Sequence, residues 1–225
     1  MAVTRGLLWC GAAAGPLFVA VFTVSGALRP GYDPLRHPVS SLALTPAGWT
    51  QVANFLVTGA LLTAFAVGVR RALGGRAGIL PWLLGACGVG LVGAGLFPTD
   101  PVSGYPPGSP DALVYTPLGA AHDGLSMLFF LGLPLACLAF ALRSARGGRW
   151  PAAVCSGLGA AVFVLFFLLA SLGFAQQPGL VEVGGLYQRL SVGTGLAWTT
   201  AVALVLLRDT ARSTAAPGER LTSPG

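Results

Sequence analysis

Residues 151–174 read PAAVCSGLGAAVFVLFFLLASLGF and carry no charged side chain. As a helix rising 1.5 Å per residue, such a run is long enough for a hydrocarbon core roughly 30 Å thick, which takes about 20 apolar residues. Five further stretches meet the same test, at 7–28, 49–69, 78–97, 118–142 and 186–207. The expected fold is therefore all-α: a polytopic integral membrane bundle of about six transmembrane helices. It forms one domain over residues 1–210, followed by a flexible cytoplasmic tail over 211–225. The first apolar run is longer than the roughly 7–15 residues of a signal-peptide core, so it reads as an uncleaved helix.

Composition agrees. The chain is 54% hydrophobic and 9% charged, against about 25% charged residues in soluble domains. Its 33 glycines and 17 prolines lie among apolar runs, where they serve as close-packing and helix-end residues. Small residues recur every four positions at Gly11/Gly15, Ala86/Gly90/Ala94 and Ser191/Gly195/Thr199, as helices packed within one bundle require. Thr45-Pro46 and Thr116-Pro117 each set a hydroxyl before a proline, which predicts capped helix starts. Pro81 and Pro151 fall in the first turns of their spans, where the missing N–H costs nothing. Cys10, Cys87, Cys137 and Cys155 show no metal or redox spacing and read as inert thiols.

The net charge of +6 reflects arginines scattered between apolar spans, a pattern of membrane orientation rather than of nucleic-acid binding. Arg5, Arg70, Arg71, Arg76, Arg143, Arg146, Arg149, Arg208, Arg212 and Arg220 fall on one side of the six spans. Arg29, Arg36 and Arg189 fall on the other. The positive-inside rule then places both termini in the cytoplasm of a plasma-membrane protein. Asp33, Asp100, Asp111, Asp123 and Glu182 go to the outer side, and Asp209 and Glu219 to the inner.

Mixed chemistry gathers on that outer side. It carries Arg29-Pro30-Gly31-Tyr32-Asp33, His37-Pro38-Val39-Ser40-Ser41, Phe97-Pro98-Thr99-Asp100, His122-Asp123 with Ser126, and Tyr187-Gln188-Arg189. Both histidines of the chain are here. The end of the third span and the starts of the fourth and sixth would meet in one bundle and line one outward-facing pocket.

The segments PGYDPLRHPVSSL, GLFPTDP, AHDGLS and GLYQRL carry a resemblance. Across nearly its whole length the chain resembles the bacterial multi-spanning membrane proteins grouped as domain-of-unknown-function family 998. That resemblance implies a membrane bundle of this size and no particular activity. A more distant similarity is to ceramidase-like and progestin-receptor-like membrane hydrolases, which combine a Ser, an Asp and three His around zinc. This chain has no third histidine, so only a two-His-plus-carboxylate set remains for a metal.

The pocket is expected to act on a lipid or isoprenoid, by hydrolase-like or acid-initiated cyclase-like chemistry. His122, Asp123, Asp100, His37 and Ser40 are the candidate catalytic groups. Arg189, Tyr187, Gln188, Ser41 and Ser126 would bind substrate, with Arg189 holding an anionic head or pairing with Asp100 or Asp123. Phe97, Leu125, Phe129, Phe130 and Leu190 would form apolar walls. The other reading is a non-catalytic lipid-binding or partner-binding membrane protein. Related halves and mid-membrane charges, the marks of many transporters, are missing. So are nucleotide-loop, dinucleotide and heme-attachment motifs, and no cofactor is signalled.

Overall fold

A computed structural model of the protein describes residues 2–215. It contains six α-helices: α1 (Ala2–Ala27), α2 (Trp49–Leu73), α3 (Leu80–Leu96), α4 (Pro117–Arg146), α5 (Trp150–Phe174) and α6 (Gly184–Ala215). Five are long and apolar enough to cross a membrane by length and composition; α3, at 17 residues, is the short one. It stops where Phe97 turns extended, as a residue before proline is biased to do. α6 continues to Ala215, past the expected boundary at 210. The rest of the expected tail, with Glu219 and Arg220, lies outside the described residues.

Each helix packs against its neighbours in chain order, and α6 returns to α1, which closes a six-membered ring. The interior is filled by fully buried side chains such as Leu62, Phe65, Leu84, Phe129, Leu133, Phe163 and Leu196, while Leu131, Leu135, Leu158 and Leu168 point outward. Such outward leucines belong against lipid tails. The four-residue small-side-chain spacing works within this ring. A Cβ on Gly15 would sit 2.9 Å from the Leu196 carbonyl of α6, and one on Gly90 would sit 2.8 Å from the Leu125 carbonyl of α4.

Arginines collect at one end of the ring. Arg70 and Arg71 close α2, Arg143 and Arg146 close α4, and Arg212 lies in the last turn of α6. There Arg70 lies over the Trp82 ring at 5.3 Å, and Arg149 pairs with Asp209 at 3.2 Å. The opposite, arginine-poor end carries the long connections 28–48 and 97–116.

The two Thr-Pro starts differ. Thr116 caps α4 by accepting from the Gly119 N–H at 3.1 Å. Thr45 makes no cap, and Pro46–Gly48 forms a 3₁₀ turn ahead of α2. Its hydroxyl instead accepts from Arg29 Nη1 at 2.7 Å, and the charged donor outcompetes a neutral N–H.

α2 carries an inward stripe of mixed character. The stripe is polar near the start, at Gln51, Asn54 and Thr58, and apolar beyond, at Leu62, Phe65 and Val69. Asn54 Nδ2 donates to the Phe18 carbonyl at 3.1 Å and ties α2 to α1. The i, i+3, i+7 spacing of those three residues was the available signal.

Candidate functional site

The connection after α1 folds into a knot of local bonds. Asp33 Oδ1 accepts from the Leu35 N–H at 2.8 Å, and the Asp33 N–H donates to His37 Nδ1 at 2.9 Å. Burial pushes the His37 imidazole below its ordinary pKa, in keeping with a neutral ring whose Nδ1 is an acceptor. His37, Tyr32 and Tyr105 pack ring against ring, with centroids 5.0–5.5 Å apart. Tyr32 donates to the Pro38 carbonyl at 3.0 Å.

Arg189 enters this knot from α6. It donates to the carbonyls of His37, at 3.0 Å, and Gly185, at 2.9 Å, and to the Tyr32 hydroxyl oxygen. Its guanidinium lies over the rings of Phe22 and Tyr32. One expectation is corrected here: Arg189 pairs with neither Asp100 nor Asp123. His37 Nδ1, for its part, is already bonded within a tight local turn.

A second assembly begins where α3 ends. Asp100 is buried and accepts from the Thr116 N–H through Oδ2, at 2.7 Å, and from the Thr116 hydroxyl through Oδ1, at 2.8 Å. Its carboxylate thus sits at the N-terminus of α4, where the helix dipole favours negative charge. One turn on, His122 is 3% exposed and its Nδ1 lies 2.9 Å from the Phe97 carbonyl. A carbonyl only accepts, so Nδ1 carries the proton. In the neutral ring Nε2 is then a free acceptor, and it has no hydrogen-bond partner among the described residues.

Two adjoining cavities converge on these groups. The larger, about 760 Å³, lies between the ends of α4 and α5, beneath the 97–116 connection. Its walls are Met127, Phe130, Phe167 and Phe174, and its polar groups include Asp100, Asp123, Ser171 and Gln176. A smaller annex of about 70 Å³ is lined by His122, Phe18, Phe55 and Phe129. Ser40, Asp123, Ser126, Phe130 and Gln188 line both and mark the junction. The annex has room for about two water molecules. Gln188 is oriented by the Val39 N–H, which donates to its Oε1 at 2.8 Å.

The candidates therefore divide. His122, Asp123, Asp100, Ser40, Ser126 and Gln188 line the cavities; His37, Arg189, Tyr187 and Ser41 do not. Tyr187 stacks on Phe166 at 5.9 Å, and Ser41 is fully buried elsewhere. Of the expected apolar walls, Phe129 and Phe130 are present, whereas Phe97, Leu125 and Leu190 are replaced by side chains of α5. Leu125 packs instead against Gly90 and Gly93 of α3. Tyr115 was also missed. Burial and the neighbouring Asp123 carboxylate push its phenol up, so it stays a proton donor at the rim. No group of three or more metal-ligating side chains occurs among the described residues, and the separation of His37 from His122 leaves the two-His metal set unassembled.

The roof is clasped by Arg36. Its Nε donates to the Ser103 carbonyl at 3.0 Å, and its two terminal nitrogens pair with Asp111, at 2.8 Å, and Glu182, at 2.9 Å. Both carboxylates are largely exposed, so each pair adds under about 1 kcal/mol.

A family model described as a protein of unknown function, DUF998, matches residues 12–205. The chain belongs to the DUF998 family. The match runs from the first turns of α1 into the last turns of α6 and takes in the knot and both cavities. No curated protein and no solved structure matches the chain. For this DUF998 protein, then, the site has to be read from its own residues.

Proposed function

We propose that this DUF998 protein is an integral enzyme of the plasma membrane. Both termini are cytoplasmic, and the cavity at the arginine-poor, outer end acts on a lipid or isoprenoid amphiphile. The arginine asymmetry supports the orientation. Support for the ligand class comes from polarity: aromatic and aliphatic walls between α4 and α5 lead to a head region of Ser40, Asp123, Ser126 and Gln188. A volume of about 760 Å³ falls within the roughly 300–1,000 Å³ of small-molecule sites.

The observation that carries the enzymatic reading is His122. Its ring is fixed through Nδ1, and its other nitrogen, Nε2, is left with a free lone pair in a residue that lines an annex shared with two serines and an aspartate. Hydrolase-like chemistry fits better than acid-initiated cyclisation, because a free imidazole nitrogen beside hydroxyl groups and a water-sized space is a base looking for a proton. Nε2 would draw that proton from a water or from the hydroxyl of Ser40 or Ser126, while Asp123 and Tyr115 orient the head. One observation favours the non-catalytic binding reading: neither serine hydroxyl is hydrogen-bonded to His122 among the described residues.

The test is turnover of a defined panel by purified protein in nanodiscs, with monoacylglycerol, lysophospholipid, ceramide and polyprenyl diphosphate assayed by mass spectrometry. Wild type is expected to consume one class. His122→Gln, which keeps an amide N–H for the Phe97 carbonyl, is expected to be about 10²–10⁴-fold slower with lipid retention unchanged. Retention of lipid with no class consumed would establish the binding reading instead.

A further inference from the structure

The three arginines near the arginine-poor end are all committed outside the cavities. Arg29 bonds Thr45, Thr50 and the Ala47 carbonyl; Arg36 bonds Ser103, Asp111 and Glu182; Arg189 bonds the His37 and Gly185 carbonyls and Tyr32. The chain contains no lysine, and no arginine lines either cavity. The ionisable lining is Asp100, Asp123, His122 and the Tyr115 phenol at the rim.

This balance decides the charge of the head. A phosphate or carboxylate there would face two carboxylates in an apolar surround, with no arginine or lysine in the lining to offset them, and like charges at short range in low dielectric repel strongly. A head that donates hydrogen bonds meets the opposite situation. Asp100 already accepts two bonds from Thr116, yet a carboxylate offers about four acceptor positions. Asp123 has the Tyr115 phenol as its hydrogen-bonding neighbour and lines both cavities at their junction. The carboxylates do not stand alone as an indication of a ligand, since His122 is 3% exposed and its unpartnered Nε2 is a further acceptor at the annex. The junction is therefore rich in acceptors, and the serine hydroxyls, the Gln188 amide and the Tyr115 phenol at the rim are its neutral donors.

We propose that the ligand head is a protonated amine with neighbouring hydroxyls, as in a long-chain amine or amino alcohol, seated between Asp123 and Asp100 with its chain along Phe130, Phe167 and Phe174. The ammonium group donates to the carboxylates, and the hydroxyls meet Ser40, Ser126 and Gln188. This inference rests on the reading of the cavity as an amphiphile site, and it reverses the head charge that Arg189 suggested in the sequence.

The experiment is competition in nanodiscs against a prebound fluorescent monoacylglycerol, using dodecylamine, dodecanol, laurate and dodecyl phosphate. Each is corrected for its partition into protein-free nanodiscs. Dodecylamine is expected to displace the reporter at a concentration at least about tenfold below laurate or dodecyl phosphate, the advantage of one charge-assisted hydrogen bond. Asp123→Asn is expected to erase most of that preference while still binding the reporter. Should this variant fail to fold, the wild-type ranking alone decides. Equal displacement by all four probes would overturn the amine assignment and leave the amphiphile site standing, as would a preference for the anions. Failure of the reporter and every probe to bind would overturn both.

Discussion

Arg189→Leu is expected to destabilise the bundle by roughly 2–4 kcal/mol, the cost of stranding buried partners of a charged donor. The Arg189 guanidinium serves the His37 and Gly185 carbonyls and the Tyr32 hydroxyl oxygen at once, and it covers the Phe22 and Tyr32 rings. Leucine would leave both carbonyls without that donor at a place where little water reaches them. Arg189→Lys should recover only part of the loss, because one ammonium group cannot reproduce the planar fork. The measurement is thermal unfolding in detergent with co-purified lipid quantified alongside: stability falls and lipid retention per folded molecule is kept. Loss of lipid with an unchanged melting temperature would return Arg189 to the ligand site.

Gly119→Ala is the second substitution with a large expected effect, about 2–4 kcal/mol from a lost helix cap and a buried carboxylate deprived of its donors. A Cβ at Gly119 would lie 1.9 Å from Asp100 Oδ2 and 2.3 Å from its Cγ. Asp100 cannot swing aside cheaply, because both oxygens are held by Thr116. Rotating it breaks those two bonds and moves a wall of the larger cavity. In a double-mutant cycle, Asp100→Ala should make Gly119→Ala nearly harmless, with the two effects far from additive. Additive losses would mean that the carboxylate does not sit over Gly119.

The spans were legible because an apolar run long enough to cross lipid leaves few alternatives. The Thr116 cap was legible because its signal is local. What the sequence hides is direction around a helix. Gln188 and Arg189 are neighbours at one depth, yet about 100° of helical rotation sends Gln188 to the cavity and Arg189 to the knot. Sorting by depth alone had put both in one pocket. Thr45-Pro46 failed for another reason, since the competitor for its hydroxyl, Arg29, is sixteen residues away. His37 had a usable local signal: Asp33 stands four residues before it in a turn set by Asp33-Pro34, which brings the Asp33 N–H to the imidazole. The contribution of α5 carried no signal, because Ala170, Ser171 and Phe174 are ordinary residues of a lipid-facing helix.

The most direct test of the central claim, that an amphiphile occupies the α4–α5 cavity with its head at His122 and Asp123, is photolabelling in nanodiscs followed by peptide mapping. The probe is a monoacylglycerol with a diazirine near the middle of its chain. The account predicts adducts concentrated on Met127, Phe130, Phe167 and Phe174, suppressed by excess unlabelled monoacylglycerol. Adducts confined to outward-facing Leu131, Leu135, Leu158 and Leu168, with no such competition, would contradict it.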